Sequence, residues 1–291
     1  DVEVAAATAF TWWTVPWVRA RWDCALYRPP GLADGDEAPL VVLLHGCGQR
    51  AIEFAHATGL TDAAARGRFR LLCPEQREPS NPWRCWNWFH PPAQAGPGEQ
   101  EGGLQAPEAT RARVRCGAVA AVGLSAGGGL AALLAFHHAA GFDAVATVAA
   151  PPLLGRGSLQ DPRRVMKEGL AISPTLATLR LTRCAPLLVL HGADDDVVAP
   201  RCAEQLAEQA LHVMRRQARD SDAGELSTHP IEGGVEHLAG TRLMLRRRLL
   251  PGLGHAWSGA PGGHPHVTTA GPPLTAMVLS FLRETGMHMR A

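Results

Sequence analysis

A chain of 291 residues and 30.9 kDa, 46% of it hydrophobic, can bury one large core without needing a second domain. Its 28 basic and 27 acidic residues balance to a formal +1, and every basic residue except Lys167 is an arginine spread along the chain; that excludes the charge footprint of a nucleic-acid or anionic-membrane binder and favours small uncharged substrates. Seven cysteines (Cys24, Cys47, Cys73, Cys85, Cys116, Cys184 and Cys202), none in C-x-x-C spacing, exclude a disulfide-framework mini-protein and a zinc ribbon.

The N-terminal TWWTVPWVRARWDCALYRP carries four of the eight tryptophans and predicts an antiparallel hairpin within residues 1–38 that leads into a sheet, its rings serving as core packing or as a binding face. PLVVLLHG (Pro39 to Gly46) is a near-continuous apolar run of the kind a parallel strand covered on both faces shows, and a helix is predicted after it over Ile52 to Arg66. FRLLC (Phe69 to Cys73) predicts the next strand. Residues 74–108 are rich in Pro and Gly without a regular period, and are predicted to form a long active-site loop. Further strands are predicted at Ala118 to Val122, Ala144 to Val148 and Pro186 to Gly192. Helices are predicted at Ala126 to Ala140, Pro200 to Gln217 and Pro273 to Thr285. The alternation argues for a doubly wound, mostly parallel α/β sheet with helices on both faces, one domain spanning 1–291.

GAVAAVGLSAGGGLAALLAF (Gly117 to Phe136) has no charge in twenty residues, and its GLSAG fits both a G-x-x-x-G membrane dimerisation face and a G-x-S-x-G nucleophile elbow. Gly123, Gly127, Gly128 and Gly129 fall at the centre, where a membrane helix would be weakest; β-branched residues stop before Ser125 and Ala and Leu dominate after it. The pattern is therefore a strand, a tight turn and a helix, and no membrane span is predicted. A serine hydroxyl needs a histidine to take its proton and a carboxylate to orient that histidine. HGADDDVVAP supplies Asp194, Asp195 and Asp196 at a strand end, one of them for catalysis and the others for a turn or helix cap. PGLGHAWSGAPGGHPH supplies His255, with His264 and His266 as rivals; chain order and the flanking Gly254 favour His255. HGCGQ (His45 to Gln49) stands where an oxyanion loop belongs, so the backbone N–H groups of Cys47 and Ala126 are the candidate oxyanion donors.

With LLHGCGQ, PEQ, NPWRCWNWF, GLSAGG, HGADDDVVAP and GLGHAWSG in that order, the chain resembles the polyhydroxybutyrate depolymerase family of esterases, close to feruloyl and acetylxylan esterases, from about Tyr27 to Phe281. The resemblance implies an α/β-hydrolase fold, no metal or cofactor, and cleavage of short-chain polyhydroxyalkanoate or simpler esters. It makes Ser125 the nucleophile, Asp195 the acid, His255 the base, and Cys47 and Ala126 the oxyanion donors, and it places Cys47 and Cys85 close enough to pair. Trp86 and Trp88, with Phe89, and Trp257 of GHAWSG are candidate substrate-binding residues; the CWNWF rings either form an apolar platform or roof the core and prop the oxyanion loop. The alternatives are a feruloyl, acetylxylan or general short-acyl carboxylesterase and, from another class, a catalytically silent scaffold used for binding.

Segments 105–117, 149–160 and 221–250 depart from the family pattern. The first lacks a clean amphipathic helix, and the last falls where a tyrosine-bearing strand pair is expected although the chain's one tyrosine is Tyr27. These departures bear on stability and the substrate rim more than on the catalytic set. No signal peptide is visible at Asp1; the resemblance nonetheless implies a secreted or periplasmic protein. No linker or polymer-binding module follows the last helix, which by analogy predicts poor action on crystalline polymer. Nothing in the sequence speaks to oligomeric state.

Overall fold

The computed structural model describes residues 9–17, 20–221 and 224–290; residues 1–8 and 18–19 of the predicted N-terminal hairpin region lie outside the described residues. Among the described residues ten strands form one sheet in the order β1-β2-β4-β3-β5-β6-β7-β10-β9-β8. β1 (Phe10–Trp17) and β2 (Ala20–Tyr27) make the expected antiparallel hairpin, and β2 joins the edge of β4 (Arg70–Glu75), also antiparallel. From β4 the sheet runs parallel through β3 (Ala38–Leu44), β5 (Cys116–Leu124), β6 (Ala144–Val148), β7 (Leu187–Gly192) and β10 (Arg242–Leu250).

The central strands read as unbroken apolar runs because both faces are covered. Leu40, Val42 and Leu44 of β3 belong to one core layer and Val41 and Leu43 to the other, and β5 divides in the same way between Val119, Ala121 and Ala120, Val122, Leu124. The first layer is closed by α4 (Glu99–Arg111), α5 (Ala126–His137) and α7 (Arg201–Arg219), and the second by α1 (Ala51–Ala57), α2 (Leu60–Gly67) and α8 (Leu274–Glu284). The fold is the predicted doubly wound α/β-hydrolase arrangement. α5 is apolar all round because it is buried all round, which is why its composition imitates a membrane segment. Among the described residues no helix is long and apolar enough to cross a membrane.

Two expectations need correction. Residues 74–108 are not one long loop: α3 (Pro91–Ala95) and the first ten residues of α4 lie within them. Two glycines inside α4 are contact points, since a Cβ on Gly102 would sit 2.7 Å from Trp22 Cε2 and one on Gly103 would sit 2.9 Å from Leu134 Cδ2. The helix predicted over 52–66 is two helices, broken at Gly59, whose φ of 75° ends one turn and admits Pro261 at 3.1 Å from an added Cβ. Within segment 221–250, β8 (Leu226–Ile231) and β9 (Gly234–Ala239) extend the sheet antiparallel from β10. The expected strand pair is thus present without its tyrosine.

Candidate active site

Ser125 sits between the last residue of β5 and the first of α5 with φ 57° and ψ −118°, a conformation non-glycine residues rarely hold. Two backbone bonds fix it: Ser125 N–H donates to Val148 (2.9 Å), and Gly129 N–H donates to the Ser125 carbonyl (2.9 Å). The flanking glycines of GLSAG are steric requirements. A Cβ on Gly123 would lie 2.1 Å from the Gly127 carbonyl oxygen, and one on Gly127 would lie 2.3 Å from that of Leu44. The helix therefore meets the backbones of β5 and of the end of β3 directly, and the turn before it holds the hydroxyl at the C-terminal edge of the sheet.

Parallel pairing of β10 with β7, from Leu245 opposite Leu187 to Leu250 opposite Gly192, delivers two loops to that edge together. They are tied by Ala193 N–H to Leu250 (2.9 Å) and Asp194 N–H to Leu253 (3.0 Å), across a glycine whose Cβ would sit 2.1 Å from the Leu253 oxygen. One loop carries Asp195 and the other His255. His255 Nδ1 lies 2.8 Å from Asp195 Oδ2, and His255 Nε2 lies 2.9 Å from Ser125 Oγ. Asp195 Oδ1 accepts from Val197 N–H (2.9 Å) and Val198 N–H (2.8 Å). Burial by itself would raise this carboxyl, but the hydrogen bond and charge of His255 and the Val198 N–H outweigh it and hold Asp195 below the ordinary carboxylate value. Beneath it the buried His191 places Nε2 2.8 Å from the Val198 carbonyl, and burial pushes its own pKa down. Of the three adjacent aspartates only Asp195 faces His255 in this way. The line Asp195, His255, Ser125 has the order by which an imidazole, fixed in one tautomer, takes a hydroxyl proton.

The HGCGQ loop lies against the same serine: an added Cβ on Gly46 would be 3.6 Å from Ser125 Cβ. Cys47 and Ala126 both line the cleft beside Ser125, and Ala126 opens α5, where backbone N–H groups lack helical partners. Cys47 is disulfide-bonded to Cys85, with Cα atoms 4.2 Å apart. His45 is buried and held neutral, its pKa pushed down to about 4 chiefly by burial; its Nδ1–H donates to Gly46 (2.7 Å) and its Nε2 accepts from Gln76 N–H (3.1 Å). Gln49, also buried, accepts from Gly46 N–H (2.7 Å) and donates to the Pro265 carbonyl in the histidine-bearing loop. Sequence reading missed Gln49, although it ends a quoted motif. It also missed Glu99, a carboxylate pushed up by burial that accepts from Gln76 Nε2 (2.6 Å) and Asn87 N–H and so holds the loop before α3 in place.

These groups open onto a cleft of about 740 Å³ with apolar walls. Its tryptophans differ from the predicted set. Trp86 is fully buried, its Nε1–H donating to the His45 carbonyl (3.0 Å), so it props the HGCGQ loop from below. Trp257 is also fully buried and is anchored through Nε1–H to Thr275 Oγ1 (3.0 Å). Neither meets the cleft. Trp88, 4% exposed, does line it, and Trp83, 70% exposed and absent from the predicted set, stands at its rim. Within NPWRCWNWF the sequence does not distinguish the ring that points down from the one that points out. Among the described residues no group of His, Cys, Asp and Glu could hold a metal ion.

A family model described as Esterase PHB depolymerase matches residues 22–224. The chain belongs to this family of carboxylic ester hydrolases. Among curated proteins, this PHB depolymerase family member is 29% identical over 184 residues to poly(3-hydroxyalkanoate) depolymerase C of Paucimonas lemoignei, a match that covers 59% of this chain and 44% of that protein's length. Among solved structures it resembles the acetyl xylan esterase from Aspergillus awamori (TM-score 0.68, 14% identity, 95% of this chain and 99% of that one). It also resembles esterase 2 of Thermogutta terrifontis (TM-score 0.60, 17% identity, 96% of each). At these identities the two structures speak to the fold, which is that of an α/β-hydrolase.

Proposed function

We propose that this esterase hydrolyses short-chain polyhydroxyalkanoate, or its soluble oligomers, through an acyl-enzyme on Ser125. The observation that carries the reading is the continuous hydrogen-bonded line from Asp195 through His255 to Ser125 Oγ, opening onto an apolar cleft. Ser125 Oγ attacks the ester carbonyl carbon while His255 Nε2 takes the hydroxyl proton, and Asp195 stabilises the imidazolium through Nδ1–H. Negative charge gathers on the carbonyl oxygen, where the N–H groups of Cys47 and Ala126 receive it. Collapse of the tetrahedral species breaks the bond to the leaving alcohol, which takes the proton from His255. Water, deprotonated by the same imidazole, then releases the acid and restores Ser125.

The polyester reading is supported by the family and by the activity for which the Paucimonas relative is named, together with Trp83 and Trp88 on walls suited to methyl-bearing chains. One sheet containing all the strands of the described residues supports treating the chain as a single catalytic unit. The test is release of 3-hydroxybutyrate from an amorphous polyhydroxybutyrate suspension by the chain and by its Ser125→Ala variant. Release that vanishes in the variant supports both nucleophile and substrate. Absence of release alongside Ser125-dependent hydrolysis of p-nitrophenyl butyrate would leave the mechanism and overturn the polymer.

A further inference from the structure

The cleft walls carry one Arg or Lys side chain among the described residues, Arg163, in α6 (Pro162–Glu168). Its setting differs from that of the other cations of this helix. Arg164 is paired with Glu168 at 2.8 Å, and Lys167 Nζ donates to the Asp196 carbonyl. Arg163 is exposed, and its guanidinium has no ion pair or hydrogen bond to any described residue. The nearby Asp161 carboxylate caps the helix, accepting from Arg163 backbone N–H at 3.0 Å. A planar fork of donors is thus free in a cleft that it shares with Ser125, Met166 and Val197, where Asp161 is the one carboxylate of the wall among the described residues.

Resting on the polyester reading, we infer that Arg163 is a carboxylate-recognition group and that the preferred substrates are hydroxyalkanoate oligomers ending in a free carboxylate. In such an oligomer the carboxylate belongs to the leaving-alcohol side of the last ester bond. A guanidinium that binds it bidentately sets that bond, or one a few units inward, at Ser125. Each turnover frees the acyl part as a new carboxylic acid and leaves a hydroxyl on the departing fragment, so the acyl product is itself a substrate for the same recognition. The enzyme then shortens soluble chains from the carboxyl end, in preference to neutral esters of equal length.

The test compares the 3-hydroxybutyrate trimer as free acid and as methyl ester, with p-nitrophenyl butyrate as a neutral reference, for the unmutated protein, Arg163→Gln and Arg163→Lys. Loss of a charge-assisted bidentate contact predicts that Arg163→Gln lowers kcat/KM for the free acid by about tenfold or more, chiefly through KM. The methyl ester and p-nitrophenyl butyrate should be unaffected, and Arg163→Lys should restore part of the loss. KM for the free acid should also rise with ionic strength, as screening of an exposed charge requires. Equal loss for free acid and methyl ester, or loss for neither, overturns the inference and leaves the polyester reading standing. Failure of the unmutated protein to cleave either trimer, while p-nitrophenyl butyrate is hydrolysed, overturns the polyester reading and the inference with it.

Discussion

Gln49 joins Pro265 across 216 positions of sequence, and with the same carboxamide it accepts the Gly46 N–H. One buried side chain therefore sets the spacing between the loop that carries Cys47 and the loop that carries His255. Gln49→Met keeps the volume and removes both bonds, leaving a buried N–H and carbonyl unpaired at a cost of about 2 kcal/mol in urea unfolding. Because the loss falls on alignment rather than on the cleft wall, kcat for p-nitrophenyl butyrate should drop about tenfold or more with KM little changed. A KM effect without a kcat effect would contradict that assignment.

Ser125 holds a backbone conformation at φ 57° that favours glycine. Ser125→Gly and Ser125→Ala should both be inactive, yet the glycine variant should be the more stable by about 1 kcal/mol, strain relief exceeding its entropic cost. Thermal unfolding of the two variants measures this directly. Equal stabilities would mean that the strain stored in the turn does not exceed the entropic cost of the glycine.

Asp195 should contribute to stability in a pH-dependent way. Its carboxyl is held below the ordinary value in the native state, so the folded chain binds fewer protons there than the unfolded one. The contribution is fully present above the unfolded value of about 4 and is lost as pH falls through the lower native value. The stability difference between the unmutated protein and Asp195→Asn, followed by urea midpoints, should therefore stay level at neutral pH and shrink on acidification below about pH 4. In kcat the same variant should lose about 10³- to 10⁴-fold, because the amide no longer selects the required histidine tautomer.

The Cys47 to Cys85 bond closes a separation of 38 residues, a constraint on the unfolded chain that is worth roughly 4 kcal/mol on entropic grounds. Cys85→Ser should lose about 2 to 4 kcal/mol of stability and lower kcat by freeing the oxyanion loop. Thiol titration in denaturant should find five thiols without reductant, since Cys24, Cys73, Cys116, Cys184 and Cys202 are free, and seven after reduction. Seven in both conditions would remove the bond from the account.

Where the sequence was legible, backbone requirements wrote it. Gly123 has to be glycine for β5 and α5 to touch and Gly127 for α5 to meet the end of β3, and the strands were visible because burial on both faces leaves runs such as Leu40 to Leu44 without a polar residue. Asp195 and His255 were legible by order along the chain. What stayed hidden depends on direction in space. Trp86 and Trp88 are two positions apart in an irregular loop, where no periodicity assigns a face; one is under His45 and the other on the cleft. Helix α4 was obscured because Gly102, Gly103 and Pro107 lie inside it, the glycines serving contacts with Trp22 and Leu134 that only the fold creates. The double bond of Gln49 is hidden for the same reason, since Pro265 is remote in sequence.

The measurement that bears most directly on the central claim is stoichiometric labelling with a fluorophosphonate, with the adduct located by peptide mass mapping and residual 3-hydroxybutyrate release followed in parallel. A single adduct on the Ser125 peptide, with activity falling in proportion to labelling and no labelling in His255→Ala, is the predicted result. An adduct on another residue, or undiminished activity at full labelling of Ser125, would contradict it.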